Sequence, residues 1–494
     1  MKKIYRLLIV LTGGLTLLGC SSDYFDVNTP SGAATEDQLR MNDLLGPSIY
    51  HTVLAQYWAE RSFGNYTQYF TGQTGEALGQ TEIASTWSNT FLYALPNLKV
   101  IWEKAEDQQA IHFRGVTKVL IAVNLGLATD SYGNIPYTEA SMGVENTKPV
   151  FDEQELIYTI ISDLLDEAIA DLQAEDTSDF VPTESDDLIY RGDMDKWLRA
   201  AYTLKARYQL HLSEVNGIDA ALAALESLEN GFTSNADDFQ MEYTERTLNP
   251  WYSREVLARS TGNDHDKIGD QLVSYMNGNI YAFENSALAI DPRLPVYAEN
   301  ADGEDAEWKG YVSGGQGASS DGTDANTSFA EGGFYSSIAS PVVVISYAEA
   351  LFIKAEAEFL ANGGTATSTG ASQAAYEAYL EGIAANMDKL EVDGSLYLAD
   401  GAIAVGQDNL MLHHIMKEKY IANFLNPETY VDFRRYDFSD EVFLALELPL
   451  NNVDSEFPGQ WLLRAQYPSS EEIRNPENVQ LNKQSPVIPV WWDQ

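Results

Sequence analysis

A single cysteine, Cys20, stands in a chain of 494 residues, so no internal disulfide framework is available. Positive charge is scarce: 30 lysines and arginines face 74 aspartates and glutamates, leaving a formal charge of −44. A field of that sign repels nucleic acid and polyanions and offers no polybasic patch to anionic lipid, so nucleic acid is excluded as a partner. Beyond Leu18 no stretch is expected to reach transmembrane length. Catalytic signatures are missing too: there is no Gly-x-Ser-x-Gly elbow, no His-Glu-x-x-His and no phosphate-binding Gly-x-x-x-x-Gly-Lys loop. The six histidines are scattered except for His413-His414, and neighbours on a helix point about 100° apart, a poor start for a metal site. Acidic residues are so abundant that some carboxylate pair will always fall at glycosidase spacing, which decides nothing. Asp321-Gly322-Thr323-Asp324 offers oxygen ligands to Ca²⁺ but lacks the spacing of a calcium-binding loop. A solvated loop and no cofactor are expected. With 45% hydrophobic and 21% charged residues, the chain has the balance of a folded globular protein.

The first stretch that is informative by presence is the N-terminus. Lys2, Lys3 and Arg6 precede an apolar run from Leu7 to Leu18, and Leu17-Leu18-Gly19 leads into Cys20. A positive segment, an apolar run of about a dozen residues and a small residue before a cysteine are the parts of a lipoprotein signal. Residues 1–19 are expected to be removed and Cys20 lipidated, which would take the charge from −44 to −47. Residues 20–40 then read as a polar tether. Helical spacing of apolar residues predicts helices over 39–62, 91–109, 111–129, 151–174, 193–214, 217–230, 346–362, 371–388 and 408–425. Between 231 and 340 glycine, asparagine, aspartate and serine accumulate and the period fades. The paired helices predict tetratricopeptide-like hairpins with Trp197, Ala200, Leu204, Tyr208, Tyr376, Tyr379 and Gly382 on buried faces.

Several motifs fall in an order that resembles one family. Tyr132-Gly133-Asn134-Ile135-Pro136-Tyr137-Thr138-Glu139-Ala140 is similar to a Tyr-Gly-Asp-Ile-Pro-Tyr-x-Glu-Ala motif, with Asn134 in place of aspartate. Asp187-Leu188-Ile189-Tyr190-Arg191-Gly192-Asp193, Lys196-Trp197 and Leu204-Lys205-Ala206-Arg207 follow, with Ala201 where asparagine is frequent. After them come Asp291-Pro292-Arg293-Leu294, Tyr347-Ala348-Glu349-Ala350, Lys354-Ala355-Glu356, Tyr430-Val431-Asp432-Phe433-Arg434-Arg435, Arg464-Ala465-Gln466-Tyr467-Pro468 and Trp491-Trp492-Asp493. From Cys20 to Gln494 the chain resembles the SusD/RagB family of outer-membrane nutrient-binding lipoproteins, in its SusD-like subgroup. The resemblance implies a mostly α fold of four tetratricopeptide-like helix pairs with an irregular, loop-rich second half. Residues 41–494 would form one unit, with scaffold at about 41–230 and 341–430, a ligand region at about 231–340 and an irregular end from 431. It also implies a surface-exposed, non-enzymatic lid on a SusC-like TonB-dependent outer-membrane barrel, loaded with an oligosaccharide or a peptide. A secreted glycoside hydrolase is the remaining alternative.

Binding a sugar calls for an aromatic face against the ring and polar groups for its hydroxyls. Trp87 with Asn89 supplies such a pair, although a tryptophan at this place also serves to seat the next helix in a core. Trp308 and Tyr311 stand among few apolar neighbours and are expected to be exposed. Tyr335 flanks the same glycine-rich stretch, and Trp251, with Tyr252 and Arg254, is a further candidate. Trp197, Trp491 and Trp492 are expected in the core. Lipidation is directly testable: labelled fatty acid should enter the wild type and be absent from Cys20→Ala, and equal labelling of both would refute the anchor.

Overall fold

The computed structural model describes residues 38–72, 81–263, 265–303, 305–450 and 456–494. The signal segment, Cys20 and most of the tether lie outside the described residues. From Met41 onward the helices fall where apolar spacing places them: α1 (Met41–Tyr66), α2 (Leu95–Asp107), α3 (Ile111–Tyr132), α4 (Gln154–Gln173), α5 (Met194–His211), α6 (Ile218–Leu228), α7 (Tyr347–Ala361), α8 (Gln373–Lys389), α9 (Leu412–Ala422) and α10 (Glu428–Arg435). Their starts carry side-chain caps that satisfy otherwise orphaned amides. Asp193 accepts from the Lys196 amide at α5, Ser346 from Glu349 at α7 and Ser372 from Ala375 at α8. At the end of α3, Gly133 takes φ +86°, a conformation open to glycine and strained for other residues.

The helices pair as α1 with α2, α3 with α4, α5 with α6 and α7 with α8. Each pair also packs on the next, and α6 meets α7 across the loop-rich region between them. This is the stacked helix-hairpin arrangement the periodicity predicts. Trp197, Leu204, Tyr208 and Tyr379 are buried as expected, while Tyr376 is half-buried. Correcting the expectation about apolar runs, α3 is by length and composition capable of crossing a membrane. It is mostly buried between α2 and α4, which makes it a core helix. Between the helices the described chain forms two-stranded antiparallel ribbons: β1 (Phe70–Gly72) with β3 (Asp266–Ile268), β2 (Phe239–Met241) with β6 (Val342–Ile345), and β4 (Ala298–Asn300) with β5 (Thr327–Phe329).

The sequence motifs turn out to be the polar interior. Asp187 accepts from the amides of Ile189, Tyr190 and Gly192 and from Trp197 Nε1 at 2.8 Å. Asn134 uses both ends of its amide: Oδ1 accepts from the Gln154 amide and Nδ2 donates to Asn482 Oδ1. An aspartate could do only the first, which accounts for the departure there. Arg207 pairs with Glu349 at 2.7 Å, and Arg435 with Glu356 at 2.6 Å and Asp432 at 2.7 Å. Arg293 joins Asp291 and Glu418, each at 2.6 Å. Of the terminal pair, Trp492 is buried and donates to Asp130 at 2.8 Å. Trp491, expected in the core, is half-buried.

His211 lies within this interior, with Nε2 2.6 Å from Glu428 and Nδ1 2.9 Å from the Tyr158 hydroxyl, which itself donates to Asp130. Burial alone would depress its pKa, but Glu428 and Asp130 outweigh burial and push it up to about 9 from 6.5. A raised histidine contributes stability that is complete below pH 6.5 and disappears as pH rises through about 9. The advantage of the wild type over His211→Gln in urea unfolding should therefore shrink by roughly 2–3 kcal/mol between pH 6 and pH 9. An advantage constant over that range would mean that folding leaves the pKa of the ring unshifted.

Candidate functional site

The last turns of α1 present Trp58, Arg61, Ser62, Asn65 and Tyr66 along one helical face. That face walls a cavity of about 490 Å³ completed by Gly72 of β1, Thr81 to Ser85, Arg254 and Asp266. Trp58 is half-buried, and the Arg61 guanidinium lies over its ring, 4.9 Å from the centroid. Arg254 donates from Nε and Nη2 to Asp266 at 3.1 and 3.0 Å and stands 2.9 Å from Glu255. Burial, with the neighbouring Asp266 charge, pushes Glu255 up to about 8. Glu60, also on α1, is fully buried, and neither of its oxygens has a hydrogen-bond partner among the described residues. Burial raises its pKa well above the ordinary carboxylate range.

The backbone around the cavity is irregular. Ile83, a β-branched residue, adopts φ +34° and caps the short helix Ala84–Ser88, and its carbonyl accepts from the Tyr132 hydroxyl at 3.0 Å. Such a conformation persists only where its surroundings impose it, and it concentrates at functional sites. Two π-helical turns adjoin the same region, Asn89–Ala94 after the Thr81–Ser88 stretch and Tyr252–Leu257 carrying Arg254. Single π-turns are likewise enriched at sites. A planar apolar ring, two guanidiniums, the Asn65 amide and several hydroxyls thus converge on one opening.

The aromatic candidates fare differently. Trp87 is 4% exposed, packed against Phe91, Tyr132 and Tyr467, and is the core tryptophan seating the following helix. Asn89 is buried with it, bonded to His51 and the Ser85 carbonyl. Trp251 is 2% exposed between Tyr57, Phe70 and Phe329. Trp308, expected to be exposed, is 4% exposed. Its segment folds inward: the Tyr311 amide bonds the Ile268 carbonyl, the Asp270 amide bonds the Tyr311 carbonyl, and Gly310 lies tight on the Asp270 backbone. Tyr311 is half-buried beneath Lys267 and does not line the Trp58 cavity. Tyr335 is stacked on Tyr297 and edge-on to Phe424 in the core. Local scarcity of apolar residues misleads at Trp308, and the rings that bury Trp251 and Tyr335 likewise come largely from distant segments. Thr81 to Ser85 and Arg254 place two of the predicted stretches at the cavity through other residues. Trp58, Arg61 and Asn65 were missed, although a polar face recurring at i, i+3 and i+7 within an apolar helix was the signal.

For metals, the His413 and His414 rings approach to 3.9 Å, closer than their helical positions predict. Burial lowers their pKa values to about 4 and about 3. No group of three or more metal-ligating side chains occurs among the described residues. In the Asp321 loop, Lys309 Nζ sits 2.8 Å from both Asp321 and Thr323, where a cation would lie.

Comparison with known proteins gives the chain relatives. Its fold is similar to a SusD homolog from Bacteroides uniformis, with a TM-score of 0.72, 19% identity and coverage of 92% of this chain and 99% of that one. A chitin-binding SusD homolog from Flavobacterium johnsoniae gives 0.71, 19%, 92% and 98%. A SusD/RagB family protein from Bacteroides thetaiotaomicron gives 0.67, 24%, 92% and 99%. No curated protein matches the chain. Residues 33–468 match the family model described as starch-binding and associating with the outer membrane, and the chain belongs to this SusD-like family.

Proposed function

We propose that the protein is a non-enzymatic glycan-capture lipoprotein of the outer membrane that takes an oligosaccharide into the Trp58 cavity. The observation that carries this reading is the convergence of Trp58, Arg61 and Asn65 on one α1 face above a 490 Å³ opening. A tryptophan face covers the CH surface of a pyranose, and amide, hydroxyl and guanidinium groups take its hydroxyls. The family's description and the chitin-binding relative support a glycan as ligand. Binding without turnover is supported by the carboxylates of the cavity. Asp266 is held by Arg254, and Glu82 accepts from the Ser469 amide at 3.0 Å. Anchored through Cys20 and lying over a SusC-like TonB-dependent barrel, the protein would pass its ligand to that transporter. This step rests on the family resemblance.

Affinity electrophoresis of the detergent-solubilised protein through gels containing soluble chitin, starch or pectin tests the site. Trp58→Ala should weaken retention roughly tenfold or more, with little change in melting temperature because the ring is half-exposed. Trp87→Ala should instead destabilise the fold by about 3–5 kcal/mol. Retention untouched by Trp58→Ala would move the site elsewhere.

A further inference from the structure

The two arginines of the cavity have opposite surroundings. Arg254 is engaged by Asp266 and Glu255. Arg61 is half-buried, yet its guanidinium has neither an ion pair nor a hydrogen bond among the described residues. Every other arginine there that is not exposed has one or the other. Arg114 pairs with Asp171, Arg199 with Asp237 and Arg259 with Glu299, while Arg434 and Arg464 donate to backbone carbonyls. In a chain where acids outnumber bases 74 to 30, carboxylate partners are in surplus. Among the described residues Arg61 is the one partly desolvated guanidinium left without an ion-pair or hydrogen-bond partner, and its contact is the Trp58 ring.

The geometry points to a ligand carboxylate. With its carbon 4.9 Å from the Trp58 ring centroid, the guanidinium is held by its ring contact, while its N–H groups have no hydrogen bond among the described residues. The edge of a guanidinium presents parallel donors matched to the two oxygens of a carboxylate. We propose that the glycan taken by this cavity is acidic, with the carboxylate of a uronic acid residue seated on Arg61. The proposal deepens the glycan-capture reading and rests on it. The groups facing Arg61 from the other walls are Glu82, Arg254 and Asp266. Arg254 and Asp266 offset one another, and the exposed Glu82 is turned to the Ser469 amide. The chain's net charge of −44 acts on the approach of an acid, but beyond about 8 Å it is largely screened at physiological ionic strength, so contact is decided locally.

The test is titration calorimetry of the detergent-solubilised full chain with an oligogalacturonide, its methyl ester, a sulfated neutral oligosaccharide and chitohexaose. Methyl esterification removes the charge and keeps the ring, so it should weaken binding roughly tenfold or more. Arg61→Gln should bring the acid down to the level of the ester, and Arg61→Lys should recover part of the difference with the melting temperature unchanged. Equal affinity for acid and ester, or an acid preference surviving Arg61→Gln, overturns the proposal. So does a sulfated ligand bound in preference to the uronate. If chitohexaose alone binds and Trp58→Ala abolishes it, glycan capture stands and the acidic class falls. If no saccharide binds, both fall.

Discussion

Buried, paired charge is what the rest of this structure depends on. Arg207 of α5 meets Glu349 of α7, His211 meets Glu428 of α10, and Arg435 and Lys419 share Glu356 and Asp432. These groups are almost fully withdrawn from water. Each charge is tolerable only because its partner is present, and removing one partner of such a pair typically costs about 3–5 kcal/mol. The clusters join helices from the first half of the chain to helices from the second. The register between the two halves is therefore set by charge matching as well as by apolar packing.

That dependence explains which parts of the fold could be read in advance. Helices such as α3, with Val116, Val119, Leu120 and Val123 all buried, follow from spacing alone, because burial of one face imposes the 3.6-residue period. The motif residues were recognisable as a set, but nothing local to Arg207 or Arg435 announces that its carboxylate lies far along the chain. Only once the helices stack do Asp130, Tyr158, His211 and Trp492 meet. The Asn134 departure likewise makes sense only in the presence of Asn482.

The site was legible as segments and not as side chains. Trp87 and Trp251 lie within a few residues of cavity-lining Ser85 and Arg254, yet both rings turn into the core. The same split occurs on α1, where Tyr57 packs on Trp251 while the adjacent Trp58 faces the opening. Neighbours on a helix diverge by about 100°, so choosing the right segment leaves the choice of face open. Composition favoured Trp308 because its stretch is polar. A polar loop that bonds its backbone to Ile268 and Asp270 nonetheless draws its tryptophan inward.

The two arginines of the cavity carry the last step. Arg254 arrives on a π-helical turn and is held by Asp266 at the start of β3, whose amide in turn donates to buried Glu255 at 2.9 Å. It braces the wall, since β3 pairs with β1 and β1 brings Gly72 to the rim. Arg61 is fixed by a ring instead of an anion, on a helix whose opposite side is sealed in the core. A donor oriented without being neutralised pays its ordering entropy before any ligand arrives, and such preorganisation is what turns a contact into affinity. With carboxylates in surplus elsewhere, the lack of an ion pair at Arg61 among the described residues belongs to the site, and the α1 face gives its donors a direction.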